Sequence, residues 1–201
     1  MRTALDISEL KPIVESLVFV SDAPLKAERI AEALETDKQL VGRALAELEE
    51  DYRNAGRGFI LESIAEGYQF RTRPEYADWV LRLTKVRPVR FSRAALEALA
   101  IIAYRQPITR AEVDYLRGVD SGGVIKTLLE RHLIRILGKK DVPGKPLIYG
   151  TTREFLEFFG LRDLASLPTL KEFSDLTAED LETGAGLLSG EPSDEIDGTE
   201  I

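Results

Sequence analysis

The chain has 201 residues, 44% of them hydrophobic, which is room for one large domain or two small ones of about 80 residues each. It contains no cysteine, so disulfides, thiolate metal sites and cysteine nucleophiles are excluded. The net charge of −8 belongs to one end: Lys171 to Ile201 holds ten acids and one base, leaving 25 acids against 26 bases in the first 170 residues.

In chain order, Leu10, Ile13, Val14, Leu17 and Val18 recur at helical spacing and predict a first helix over about 8–20. Ser21-Asp22-Ala23-Pro24 breaks it, and Ala27, Ile30, Ala31 and Leu34 mark a shorter second helix. Thr36-Asp37-Lys38-Gln39 has the form of a capping box, opening a third helix with Leu40, Val41, Ala44, Leu45 and Leu48 inward and a stop near Asn54-Ala55-Gly56. The period then becomes alternating. Phe59, Leu61, Tyr68 and Phe70 flank Glu66-Gly67 as a β-hairpin. Pro74 suits the start of a further helix whose apolar face is Tyr76, Trp79, Val80 and Leu83.

The second half repeats the order. Ser92 caps a very apolar helix, Leu96 to Tyr104, ended by Gln106-Pro107. Thr109-Arg110-Ala111-Glu112 is another capping box, starting a short helix that stops at Gly118. A third helix from about Ser121 carries Val124, Ile125, Leu128 and Leu129. Leu133 to Leu137 and Leu147 to Thr151 read as strands joined through Pro143-Gly144, and Thr151 to Glu154 begins a last helix with Phe155, Leu156, Phe158 and Phe159. Helix–helix–helix–hairpin, twice, predicts a mainly α fold of two tandem winged-helix domains with small β-hairpins. The expected division is 1–86, a basic linker at 87–91, 92–170, and an acidic tail at 171–201. With Gly184, Gly186, Gly190, Pro192 and Gly198 and few large apolar residues, that tail cannot bury enough surface to offset its ordering entropy and is expected to be disordered. Its role is either solubilising or that of a docking or autoinhibitory segment.

Catalytic chemistry has little to stand on. The one histidine, His132, falls near a predicted helix end, where an imidazole suits the dipole, and no Gly-x-Ser-x-Gly elbow accompanies it. Glu47, Glu49, Glu50 and Asp51 point in different directions on a helix and cannot converge on a cation. Gly138-Lys139-Lys140 and Pro143-Gly144-Lys145-Pro146 fit no phosphate loop and suit wing-tip turns. No enzyme, metal or cofactor is therefore expected. Met1 to Lys11 lacks an apolar core of signal-peptide length. The longest charge-free apolar run, Ala98 to Tyr104, is far below the ~20 residues of a membrane span. The expectation is a cytoplasmic protein without membrane contact.

DNA binding is the rival to partner binding. A reading helix needs basic residues near its N-terminus. The third helices offer Lys38, Gln39 and Arg43 in one unit and Lys126 and Arg131 in the other, which disfavours base-specific recognition. Between the units, Arg82, Lys85, Arg87, Arg90 and Arg93 share a stretch with no acid from Trp79 through Leu96. It reads either as a solvated linker or as a strip for DNA phosphates, giving weak and non-specific contact. For a protein partner, the nearly all-apolar Ala98–Tyr104 helix and Phe155, Phe158 and Phe159 either close the core or leave a groove for an amphipathic helix.

Leu96-Glu97-Ala98-Leu99-Ala100-Ile101-Ile102-Ala103-Tyr104-Arg105-Gln106-Pro107-Ile108-Thr109-Arg110 resembles a signature of the bacterial segregation and condensation protein B family. The likeness continues through Leu116-Arg117-Gly118-Val119, Leu128-Leu129-Glu130-Arg131, Asp141 to Thr151 and Glu154 to Leu161, with a weaker echo at Glu15 to Leu25. It covers most of residues 8–168, and His132 stands where a small residue is commoner. The resemblance implies a nucleoid-associated homodimer in which the N-terminal winged helices pair and the C-terminal units grip a kleisin. ATP hydrolysis would belong to the partner structural-maintenance-of-chromosomes ATPase. Tyr104, Leu116, Tyr149, Phe155 and Phe159, clustered in the matching second unit, are the expected kleisin-contacting residues. A tandem winged-helix DNA-binding regulator is the alternative.

Overall fold

The computed structural model describes residues 6–85 and 91–167. Arg87, Arg90, most of the expected linker and the acidic tail lie outside the described residues. Within them the chain is mainly helical, with two small antiparallel sheets.

The first unit opens with α1 (Ile7–Val20), where Asp6 and Glu9 form a reciprocal capping box. α2 (Ala27–Leu34) and α3 (Lys38–Asn54) follow. The cap of α3 is Asp37 rather than Thr36: its carboxylate accepts from the Gln39 and Leu40 amides. Aspartate and threonine both serve as caps, and only the backbone turn decides between neighbours. Leu10, Val14, Val18, Ile30, Val41, Leu45 and Leu48 close the core these helices share, as their helical spacing requires.

β1 (Phe59–Ile64) and β2 (Gly67–Thr72) pair antiparallel with Ile64 opposite Gly67. The turn is Ala65-Glu66, one residue earlier than Glu66-Gly67, and both its residues have positive φ, 49° and 60°. That geometry matches the strand twist of a tight hairpin but disfavours side chains. The tip is held from outside: the Ala65 and Glu66 amides donate to the Leu161 and Arg162 carbonyls at 2.9 and 2.8 Å. Gly67 opens β2 because a Cβ there would stand 2.8 Å from the Pro24 carbonyl carbon.

After a 3-10 turn at Pro74–Tyr76 comes α4 (Ala77–Thr84), which buries none of its residues. Its apolar face is largely exposed, Trp79 by 64% and Leu83 by 84%, with Val80 half-buried. Among the described residues no helix of its own unit covers that stripe.

The second unit runs α5 (Arg93–Arg105), β3 (Ile108–Thr109), α6 (Arg110–Arg117), α7 (Gly122–Glu130), β4 (Ile134–Lys139), β5 (Leu147–Thr151) and α8 (Arg153–Phe159). Ser92 caps α5, Thr109 and Glu112 form the expected capping box, and Gly118 ends α6 at φ 70°. The sheet order is β3-β5-β4. Ala98, Leu99, Ile102, Val113, Ile125, Leu128 and Ile134 form its core, and Ile64 and Ala65 of the first hairpin are buried in the same cluster.

His132 ends α7 in the left-handed region, φ 57°. Its amide donates to the Leu129 carbonyl and that of Leu133 to the Leu128 carbonyl, 3.0 and 3.1 Å. This is a helix stop that glycine ordinarily occupies, which explains why a small residue suits the position. His132→Gly is expected to raise stability by up to about 1 kcal/mol, relief of left-handed strain exceeding the entropy glycine adds to the unfolded chain. Gly67→Ala should lower it by about 1–3 kcal/mol, because the added methyl meets backbone. Urea unfolding midpoints of the two variants check both signs.

Candidate partner-binding surfaces

Polar groups set the second unit's frame. The Gln106 side-chain amide donates to the Ala103 carbonyl and the Thr151 hydroxyl, and its Oε1 accepts the Thr151 amide at 2.7 Å. This ties the end of α5 to β5. Arg117, its side chain only 5% exposed, reaches Glu97 on α5 at 3.1 Å and the buried Ser121 hydroxyl at 3.0 Å, fixing the α6–α7 turn. Ser121 also donates its amide to Asp114 at 2.6 Å. Among the described residues no buried side-chain polar atom lacks a hydrogen-bond partner, as a well-formed interior requires.

Glu112 is the most perturbed acid. Its carboxylate accepts from Lys140 Nζ at 2.6 Å and from the Thr109 amide and hydroxyl at 2.8 and 2.7 Å. These bonds, the lysine's first, hold its carboxyl down at about 2. In the first unit, burial and the hydrogen bond to Glu15 push the Tyr52 phenol up to about 12.

Of the residues the sequence singled out, Leu116 lies on the surface, 48% exposed, while Tyr104 and Phe159 are half-buried. Tyr149 and Phe155 are buried in the core: β5 is the middle strand, and the face of α8 that carries Phe155 and Leu156 is turned inward. Leu116 has a companion that periodicity hid. Tyr115, off the Val113 stripe of α6, is 86% exposed, with Val119 beside it. Together with Arg105, Pro107 and Ile108, Tyr115 and Leu116 line a cleft of about 270 Å³. In the first unit, Trp79 and Leu83 on α4 and Phe19 and Val20 at the end of α1 face solvent. An aromatic standing off its helix's apolar stripe was the signal available for Tyr115.

The cations sort differently. Arg82 and Lys85 at the end of α4 and Arg93 at the start of α5 are exposed and have no ion-pair partner among the described residues. On the third helices, Lys38 pairs with Glu28 at 2.6 Å and Lys126 faces Glu130 at 3.8 Å. Arg131 stacks over the Phe91 ring, 4.7 Å from its centroid. His132 is exposed, and its carbonyl accepts the Thr152 hydroxyl at 2.5 Å. Among the described residues no three acidic or histidine side chains group as a metal site, and no helix is long and apolar enough to cross a membrane.

Two mainly helical units, each with a small antiparallel sheet and apolar side chains left outside its core, define a protein of docking faces. Residues 12–170 match the family model of the segregation and condensation complex subunit ScpB, and the chain belongs to that family. It is 62% identical over 188 residues to segregation and condensation protein B of Syntrophotalea carbinolica, across 90% of this chain and 95% of the relative. The protein of the same name from Myxococcus xanthus is 47% identical over 175 residues, 87% of this chain and 53% of that longer one. A crystal structure described as a dimer of ScpB N-terminal domain complexed with ScpA peptide is 29% identical, across 38% of this chain and 96% of that one, at TM-score 0.36.

A depressed carboxyl stabilises the fold above its unfolded-state value, and that contribution is lost as pH falls through the folded value. The Glu112 contribution should therefore disappear between about pH 4.5 and 2. Glu112→Gln is expected to unfold more easily than wild type at pH 6, with the two curves converging near pH 2. Urea midpoints across that range provide the check.

Proposed function

We propose that the chain is a non-catalytic adaptor of a chromosome condensation and segregation complex, cytoplasmic and nucleoid-associated. In this reading two winged-helix units, 1–86 and 92–170, divide the work. The first dimerises and the second holds the kleisin that bridges the heads of the structural-maintenance-of-chromosomes ATPase. The repeated order of three helices and a two-stranded wing supports the winged-helix reading. The family's description as a complex subunit and the ScpA peptide held on a dimer of a ScpB N-terminal domain support the partners.

The observation that carries the reading is the apolar surface left outside both cores. Trp79 and Leu83 stand on a helix with no buried residue, and Tyr115 and Leu116 flank the cleft on the other unit. Grouped aromatic and aliphatic side chains of this kind mark interaction sites, whereas single exposed ones do not. The α4 face is assigned to the second copy. The α6 cleft, lined by Leu116 and by Arg105 next to half-buried Tyr104, is assigned to the kleisin.

Titration with the kleisin of the same organism, followed by light scattering after size exclusion, tests this. Two copies of this chain per kleisin are expected. The double variant Tyr115→Ala/Leu116→Ala should weaken kleisin binding about tenfold or more, while Trp79→Ala/Leu83→Ala should loosen the dimer. No complex, together with duplex DNA binding whose salt slope is about −0.9 per phosphate contacted, would replace this reading by that of a DNA-binding regulator using Arg82, Lys85 and Arg93.

A further inference from the structure

The wing of the second unit is open on one side. β4 is the outer strand of its sheet, so one edge of its backbone has no strand partner among the described residues. Ile136 and Leu137 on it are 49% and 44% exposed, and Val142 and Leu147 follow across the wing loop. Arg135, Lys139 and Lys145 are exposed and none is held in an ion pair, while Lys140 is occupied by Glu112. Asp141 is the one acid between Arg135 and Gly150. The β-bulge between Ile136 and Gly138 and the cations discourage a neutral strand from adding to this edge. The same cations favour an extended segment that carries acids among apolar residues.

We propose that residues 172–182 of this chain dock along β4 and cover the second wing. Glu172-Phe173-Ser174-Asp175-Leu176-Thr177-Ala178-Glu179-Asp180-Leu181-Glu182 sets three large apolar side chains among five acids and no base, the complement of that edge. The path is short. Leu164 and Ala165, three and two residues before the last described one, line a cleft of about 460 Å³ together with Arg135, Arg153 and Leu156. The chain therefore leaves the fold beside the start of β4. Six residue steps from Leu167 to Phe173 span up to about 20 Å, roughly the length of a six-residue strand. Docked there, the acidic segment competes for Arg135, Lys139 and Lys145 with any other acidic partner or phosphate backbone. This inference rests on the wing and the chain's own charge, not on the α6 cleft assigned to the kleisin, so the two fail independently.

The absence of native cysteine makes the test direct. In the full-length chain, Thr177→Cys carrying a nitroxide should broaden the amide signals of Arg135 to Lys139 and spare those of Trp79 and Leu83. Raising salt from about 0.05 M to 0.5 M should reverse the broadening, as should Glu179→Gln/Asp180→Asn/Glu182→Gln or, from the other side, Lys139→Gln/Lys145→Gln. No selective broadening at β4, or broadening that survives both neutralised variants, overturns the proposal. So does broadening seen only between labelled and isotopically enriched copies, which would place the segment on a neighbouring chain. Duplex DNA that titrates the β4 amides equally well in wild type and the tail-neutralised variant overturns it too, since the wing would not then be covered.

Discussion

The arrangement of the whole chain turns on one small contact, the tip of the first hairpin in the side of the second unit. Ile64 and Ala65 belong to the first unit by sequence and to the second unit's core by packing. Two backbone hydrogen bonds extend the tip onto Leu161 and Arg162. The Arg71 guanidinium donates to the Glu157 carbonyl at 2.7 Å, and Arg153 to that of Pro24. Arg71 thereby places a cation near the C-terminal end of α8, where the helix dipole favours one. Units of this size are marginal alone, and a shared core enlarges the apolar area each one removes from water. The contact also commits the tip of the β1–β2 hairpin to internal docking.

The second unit carries its exposed α6 face on a cross-linked frame. Glu112 joins the start of α6 to Lys140 at the end of the wing, Gln106 joins α5 to β5, and Arg117 joins α6 to α5 and to the α6–α7 turn. Each bond is made by a side chain at an element's end, where backbone groups would otherwise lack partners. Gly150 shows how close the packing is: a Cβ there would stand 2.7 Å from the Gln106 oxygen and from a Leu137 methyl. Tyr115 and Leu116 stand exposed on this frame.

Charge and apolar surface are dealt out in a pattern consistent with an adaptor. Among the third-helix cations, Lys38 and Lys126 face acids and Arg131, just past α7, stacks on a ring. Arg43 is exposed and in no ion pair among the described residues, as are Arg82, Lys85 and Arg93 beside the inter-unit segment and Arg135, Lys139 and Lys145 on the second hairpin. Exposed ion pairs add little to stability. Their effect is on recognition, since a cation already paired with an acid holds a phosphate less firmly. The most exposed large apolar side chains, Leu83 on α4 and Tyr115 on α6, fall one on each unit.

The sequence by itself determined the order of the helices and of the two hairpins, though not the short β3, together with the inward stripes of α1, α3, α5 and α7, the capping box at Thr109 and the stop at Gly118. These depend on local spacing and on groups within four residues of each other, which a linear reading can see. It also carried the family, through long contiguous motifs in the second unit. Only the tertiary structure decided which apolar residues stay outside. Tyr149 and Phe155 look like surface anchors in sequence but are enclosed, because β5 lies between two strands and α8 turns the face of Phe155 and Leu156 inward. Trp79 and Leu83 form a regular stripe, yet among the described residues they stay largely exposed, with the Tyr76 ring against Trp79. Periodicity says that a face is apolar; what covers it depends on residues distant in the chain, and the burial of Ile64 and Ala65 in the other unit's core is the clearest instance.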